Sequence, residues 1–330
     1  MEGSHGTTDA EGAEAPELSS GILPVVRSND SAEEASRVMR EAVRRAPFPS
    51  LSGLAFEIMG LAWVFGGLAG IVLVSSLFSF EPRVSGALGQ IFAVPSPRAL
   101  AIVLAVTLPV VTLSVRIAAG LARIASEGRG QSAGANARQA FRLGARTQVS
   151  AMAIWVLIFG MMAAATVVLL GPLVVLSMVV DGEALGPFGV VLSGLALTFT
   201  LVYGAALGAV QELAMASLVR HERGTGSAVL HAWRLIRNRR VTSGRMALVE
   251  MISRMAIVLI AGVLAKYVGT WAGCAQLLLF GALVGGLRCQ AWSLAYPRVG
   301  GLAPTAPTAP TAPTASAVGP ETMSRPTDKP

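Results

Sequence analysis

The chain has 330 residues, of which 53% fall in the AVILMFWYC class, 36 are glycine and only 14% are charged, with a mean hydropathy of +0.62. An average soluble domain carries about 25% charged residues, so this composition excludes a soluble globule and predicts an all-α integral membrane protein. The net charge of +7 does not point to nucleic acid: the basic residues are 24 arginines and two lysines, Lys266 and Lys329, gathered beside apolar runs where the positive-inside rule accounts for them.

Residues 1–30 are rich in Gly, Ser, Ala and Glu and read as a disordered cytoplasmic segment. The first 50 residues contain no apolar core preceded by a basic stretch. No cleavable signal peptide is therefore expected, and the first span directs insertion itself. From Ser31 the pattern changes to a helix opened by a Ser cap and two Glu, turning basic towards Arg45 and stopped by Pro47 and Pro49.

Six apolar runs follow, near Leu54–Phe78, Ala99–Ala119, Val149–Leu170, Phe188–Val210, Met246–Tyr267 and Ala272–Leu294. Each is long enough for the roughly 20 residues that cross a bilayer. The third run stays apolar to Val180, which predicts a break at Gly171-Pro172 and a short interfacial or re-entrant piece over Leu173–Val180. Of the 26 basic residues, 22 fall in the N-terminal segment, the inner end of span two with the loop after it, the loop before span five, and the inner end of span six with the tail. Arg83, Arg98 and Lys266 lie on the other side, and Arg254 lies inside span five. This bias predicts six spans in the cytoplasmic (inner) membrane with both termini cytoplasmic. Cys274 and Cys289 sit fifteen positions apart in one run. Along a helix that is about 22 Å, too far for a disulfide.

Residues 299–330 form a second disordered cytoplasmic tail, with four tandem Ala-Pro-Thr units over Ala303–Thr314. Proline at every third position favours extended polyproline II. The units lack the basic flanks of a Pro-module ligand and read as a low-complexity linker. The membrane domain is thus 31–298.

Within it, SAEEASRVMREAVRR (31–45), SAGANARQAFRLGARTQ (132–148) and TGSAVLHAWRLIRNRR (225–240) share one grammar. Each is a basic amphipathic segment before an odd-numbered span, with a bulky residue followed by arginine: Met39-Arg40, Phe141-Arg142 and Trp233-Arg234. Phe56-Glu57-Ile58-Met59 in span one also echoes Val249-Glu250-Met251-Ile252 in span five. The expectation is three parallel two-span hairpins, each preceded by an interfacial helix. Ala232-Trp233-Arg234-Leu235-Ile236 with its basic run, and the echo at Ala140–Arg146, resemble poorly characterised bacterial six-span membrane proteins. That set includes the membrane domain that precedes some glycerophosphodiester phosphodiesterases. The resemblance spans about Ser31 to Arg298 and implies no enzymatic activity, because nothing here corresponds to the phosphodiesterase domain.

Ionisable groups inside spans are functional candidates by default. Glu250 and Arg254 are four apart on one helical face, and Glu57 sits at similar depth, so the three form a candidate intramembrane polar patch. The preferred alternative is that they snorkel within about two turns of the cytoplasmic surface. Arg40, Arg142, Arg234 and Arg237 on the basic helices, with Arg116 and Arg288 at the inner ends of spans two and six, are candidate contacts for lipid phosphate. Glycine pairs at 66/70, 204/208 and 281/285 predict close helix contacts within the chain, and Pro109 a bend in span two.

The three histidines lie outside the spans, and HExxH, a Walker loop and a Ser/His pair at membrane depth are missing from the sequence. The expectation is a protein without catalytic, metal or cofactor residues. The first functional reading is a non-enzymatic lipid-associated scaffold or partner-binding bundle. Its partners would be the bilayer, anionic inner-leaflet lipids and an unidentified protein, with no nucleic acid. The alternative is a transporter or channel for a small apolar or lipid-like solute. A water-accessible cavity reaching mid-bilayer would favour transport; a packed centre would favour the first reading.

Overall fold

The computed structural model describes residues 31–45, 49–77, 97–127, 137–179 and 182–301. Residues 1–30, the Ala-Pro-Thr tail and the loop bearing Arg83 lie outside the described residues.

The described residues form α-helices and one short 3-10 turn, with no strand among them. The helices are α1 (Ala32–Arg45), α2 (Leu51–Gly60), α3 (Ala62–Leu77), α4 (Pro97–Ser126), α5 (Ala137–Gly144), α6 (Gln148–Val179), α7 (Gly182–His221), α8 (Thr225–Asn238), α9 (Arg240–Tyr267) and α10 (Thr270–Arg298). Five stretches are long and apolar enough to cross a membrane: Ala105–Ser126, Ala137–Leu176, Gly194–His221, Arg240–Tyr267 and Thr270–Arg298. The bent pair α2–α3 brings the number to six if it is one span. The protein is a multi-pass helical membrane protein by length and composition of its helices.

The helix breaks differ from expectation. α6 runs unbroken through Pro172 to Val179, so Leu173–Val179 is not a separate piece. A proline removes one ladder hydrogen bond, and α6 around it is loosely packed: a Cβ on Gly171 would meet nothing within 4 Å. The break falls in the first span, at Leu61, where α2 and α3 are bent by 43°. A helix end buried in protein needs partners for its last carbonyls. Here Gln211 Nε2 donates to Met59 O at 2.7 Å, and Arg254 Nη2 donates to Gly60 O at 3.2 Å.

The bend divides the first span between two neighbours. α2 packs on α4 and α10, and α3 runs along α6. Gly66 and Gly70 let α3 approach Phe159, Met162 and Thr166 of α6, while Gly285 of α10 lies against the Gly53 carbonyl of α2. The stacked pair Trp155–Phe159, with centroids 5.4 Å apart, fills the seam beside Phe65.

The buried core sits at one end of the bundle. Phe56 and Met59 of α2, Val115 and Ala119 of α4, Ile154 and Ile158 of α6, Leu213 of α7 and Tyr296 of α10 are almost fully enclosed. The other halves of the long helices expose Leu73, Leu108, Val168, Leu197, Leu259 and Leu278. A large apolar exterior of this kind is what a lipid-facing surface requires.

The three short helices gather at the buried end. Arg298 of α10 meets Glu41 of α1 at 2.7 Å, Thr225 of α8 donates to Ser150 O of α6 at 3.4 Å, and Arg116 Nε of α4 donates to Phe141 O of α5 at 3.0 Å. Each turns small residues inward: Ala35, Val38 and Ala42 on α1, Ala140 and Gly144 on α5, Ala228 and Ala232 on α8. In each, a buried Val38, Ala140 or Ala232 precedes the bulky residue, and the next position is an exposed arginine.

Candidate functional site

Five charged side chains from four helices meet inside the buried end. They are Glu57 on α2, Glu212 on α7, Glu250 and Arg254 on α9, and Arg288 on α10, each 9% exposed or less. Glu212, Glu250 and Arg288 lie nine or ten positions from the ends of their helices, about 15 Å along the axis. Snorkelling to the surface is therefore not what these groups do. They are enclosed and joined to one another by ion pairs.

Arg254 Nε donates to Glu57 Oε1 at 2.8 Å, and its Nη1 lies 3.1 Å from Glu250 Oε1. Arg288 bridges three carboxylates: Nη1 donates to Glu57 Oε2, Nη2 to Glu212 Oε1, and Nε lies 2.8 Å from Glu250 Oε1. Trp292 Nε1 donates to Glu250 Oε2 at 3.0 Å. The Phe56 ring shields Arg288, with its centroid 5.6 Å from the guanidinium carbon. Removing charges from water costs several kcal/mol per ion, so only a mutually bonded arrangement of this kind is tolerable at such depth.

Of the predicted site residues, the structure brings Glu57, Glu250 and Arg254 together. Arg288 is corrected: it is 4% exposed and bound to carboxylates, so it does not face lipid phosphate. Arg116 is half-buried, with its guanidinium carbon over Phe141, 3.6 Å from the ring centroid, tying α5 to α4. Arg40, Arg142, Arg234 and Arg237 are exposed. Glu212 was missed. The apolar run of span four was ended at Val210, two positions short of it. Counting the carboxylates inside apolar helices against the arginines there was the available signal.

A cavity of about 30 Å³ between α1, α9 and α10 borders Glu250 and Arg288, with Met39, Ser253 and Trp292 among its walls. A larger groove of about 240 Å³ runs between α7 and α9, lined by Val202, Ala206, Ala247 and Met251, with Arg240 and Ser243 also on its wall. A third, of about 520 Å³, lies between α6 and α7 and is walled by Leu169, Leu173, Leu195 and Phe199.

At the buried end, Arg220 Nη2 donates to Ser293 O at 2.8 Å, and the Tyr296 ring packs against His221 and His231. Burial pushes the His231 imidazole down to about 4, helped by the positive charge of Arg223, His221 and Arg234 around it. His231 is thus neutral at physiological pH.

Among the described residues, no group of three or more His, Cys, Asp or Glu side chains is arranged to hold a metal ion. Cys274 and Cys289 are free thiols, the first exposed and the second buried. No protein-family model, curated protein or solved structure matches this chain.

Proposed function

We propose that the chain is a non-enzymatic, lipid-associated bundle of the bacterial inner membrane that holds anionic phospholipid at its cytoplasmic face and presents that face to a protein partner. In this reading α2–α3 is one span, giving six spans in three hairpins, with both termini cytoplasmic. α1, α5 and α8 are the interfacial helices that precede the hairpins. Their shared order of buried small residue, bulky residue and exposed arginine supports a common origin.

The observation that carries the reading is the groove between α7 and α9, whose apolar walls share their lining with Arg240. An acyl chain fits such walls, and a phosphate suits an arginine at the headgroup level. Arg240 Nε donates to Arg237 O at 3.2 Å, so the groove adjoins the exposed arginines at the end of α8. A basic residue near an anionic leaflet contributes about 1 kcal/mol.

Replacing Arg234, Arg237, Arg239 and Arg240 together by Gln tests it. Lipids retained through purification, identified by mass spectrometry, should lose anionic headgroups relative to wild type while zwitterionic lipids stay. Unchanged anionic lipid overturns the reading.

Transport of a lipid-like solute is the second reading. The apolar groove of about 520 Å³ between α6 and α7 favours it, and scrambling of labelled phospholipid in proteoliposomes is its test.

A further inference from the structure

The hydrogen-bond donors around the three buried glutamates are unevenly shared. Glu57 receives Arg254 on one oxygen and Arg288 on the other. Glu250 has both guanidiniums beside Oε1 and Trp292 on Oε2. The remaining Arg254 nitrogen serves the Gly60 carbonyl. Glu212 receives one donor, Arg288 Nη2, on Oε1. Its Oε2 has no hydrogen-bond partner among the described residues, although Glu212 is only 2% exposed. Three carboxylates thus share two guanidiniums, and the cluster carries one negative charge too many if all five groups are ionised.

The titratable and charged groups facing Glu212 are Arg288 and Cys289 on α10, Glu250 and Arg254 on α9, and Glu57 on α2. Two of those neighbours repel a carboxylate, and both arginines are already shared with them.

We infer that Glu212 is a proton-binding site within the membrane: in the resting protein it is a neutral carboxylic acid, with the proton on Oε2 and the Arg288 bond on Oε1. One proton removes the excess charge without any new contact, whereas an ionised carboxylate with a bare oxygen away from water is costly. A metal cation would need several oxygens at once, and those of Glu57 and Glu250 are taken. The cavity bordered by Glu250 and by Arg288, which holds Glu212 Oε1, has about 30 Å³ and leaves room for water beside the cluster. On release the O–H bond breaks, the proton passes to water and the carboxylate keeps the electron pair. The new charge pulls on Arg288, which also holds α2 and α9. The site therefore couples proton occupancy to the packing of four helices. This inference stands apart from the lipid reading.

Infrared spectroscopy of the full chain in a maltoside detergent, which has no carbonyl of its own, tests it. A carboxylic-acid carbonyl band should be present at neutral pH, shift in deuterated water, and be absent from Glu212→Gln, whose amide mimics the neutral acid and should fold. No band in the wild type, or a band that survives in Glu212→Gln, overturns the inference. Should Glu212→Gln not fold, Glu57→Gln decides: two carboxylates then match two guanidiniums, and the band should vanish with Glu212 still in place. Persistence of the band overturns the charge argument. Stabilisation of the wild type by sodium or potassium over N-methylglucamine at equal ionic strength assigns the site to a cation and overturns the proton.

Discussion

Arg254 Nε donates to Glu57 Oε1 at 2.8 Å, although the two residues are 197 positions apart. The bond fastens α9 to the end of α2, at the point where the first span breaks. The same guanidinium holds the Gly60 carbonyl that the break leaves available. Local charge pairing and helix termination are therefore one device.

Arg254→Leu removes donors to Glu57, Glu250 and Gly60 and should cost about 3 kcal/mol or more, because it leaves buried carboxylates poorly compensated. Glu57→Gln combined with Arg254→Leu should cost clearly less than the two single changes added together. Thermal unfolding of both singles and the double in detergent measures this. Additive or near-silent changes would mean that the two side chains act independently.

Gly60→Ala should destabilise by about 1–3 kcal/mol, as overpacking does. A Cβ there would lie 2.6 Å from Arg254 Nη2 and 2.6 Å from Arg288 Nη1, and neither guanidinium can retreat without breaking a carboxylate bond. Gly262→Ala is the control: a Cβ there meets nothing within 4 Å. It should be neutral or stabilising by up to about 1 kcal/mol from helix propensity. Equal melting shifts for the two variants would show that the cluster does not enclose Gly60.

His231 predicts a pH response at the buried end of the bundle. Its folded value of about 4 lies below the ordinary 6.5, so between these values the unfolded chain binds more protons. Stability from this group is complete above about pH 6.5 and falls as the pH drops towards 4. The ring is partly exposed and the neighbouring arginines are screened, so the effect should be on the order of 1 kcal/mol. His231→Gln should flatten that part of the melting-temperature profile relative to wild type. An identical profile would exclude His231 as its source.

The orientation can be checked with single cysteines at Ser85 and Gly182, in a Cys274→Ser, Cys289→Ser background. Both should react with a membrane-impermeant thiol reagent added to intact cells, as the arginine bias requires. Protection of both positions in intact cells with labelling after lysis would invert the topology.

Much of the architecture is legible from the chain alone. Hydropathy runs of about 20 residues need no partner to declare themselves, because each satisfies its own backbone bonds in lipid. The stop of α1 before Pro47 and Pro49 and the inward stripe of Ala35, Val38 and Ala42 follow from local chemistry in the same way.

The cluster is different. Glu212 falls two positions past the apolar run of span four and so reads as lying outside it, and Arg288, near the end of its own run, reads as a lipid anchor. Whether a charge in a span snorkels or is buried depends on what faces it, and those partners lie 42, 76, 197 and 231 positions away. The break at Leu61 rather than at Pro172 has the same origin. A proline signals locally that it lacks an N–H, but α6 around it is loosely packed and continues. α2 ends where Gln211 and Arg254, from two other helices, arrive to take its last carbonyls. Composition and periodicity determined which segments are helices in lipid. Only packing decided which charges meet, because a buried ion is stable at a place set by its counter-ions and not by its own neighbours in sequence.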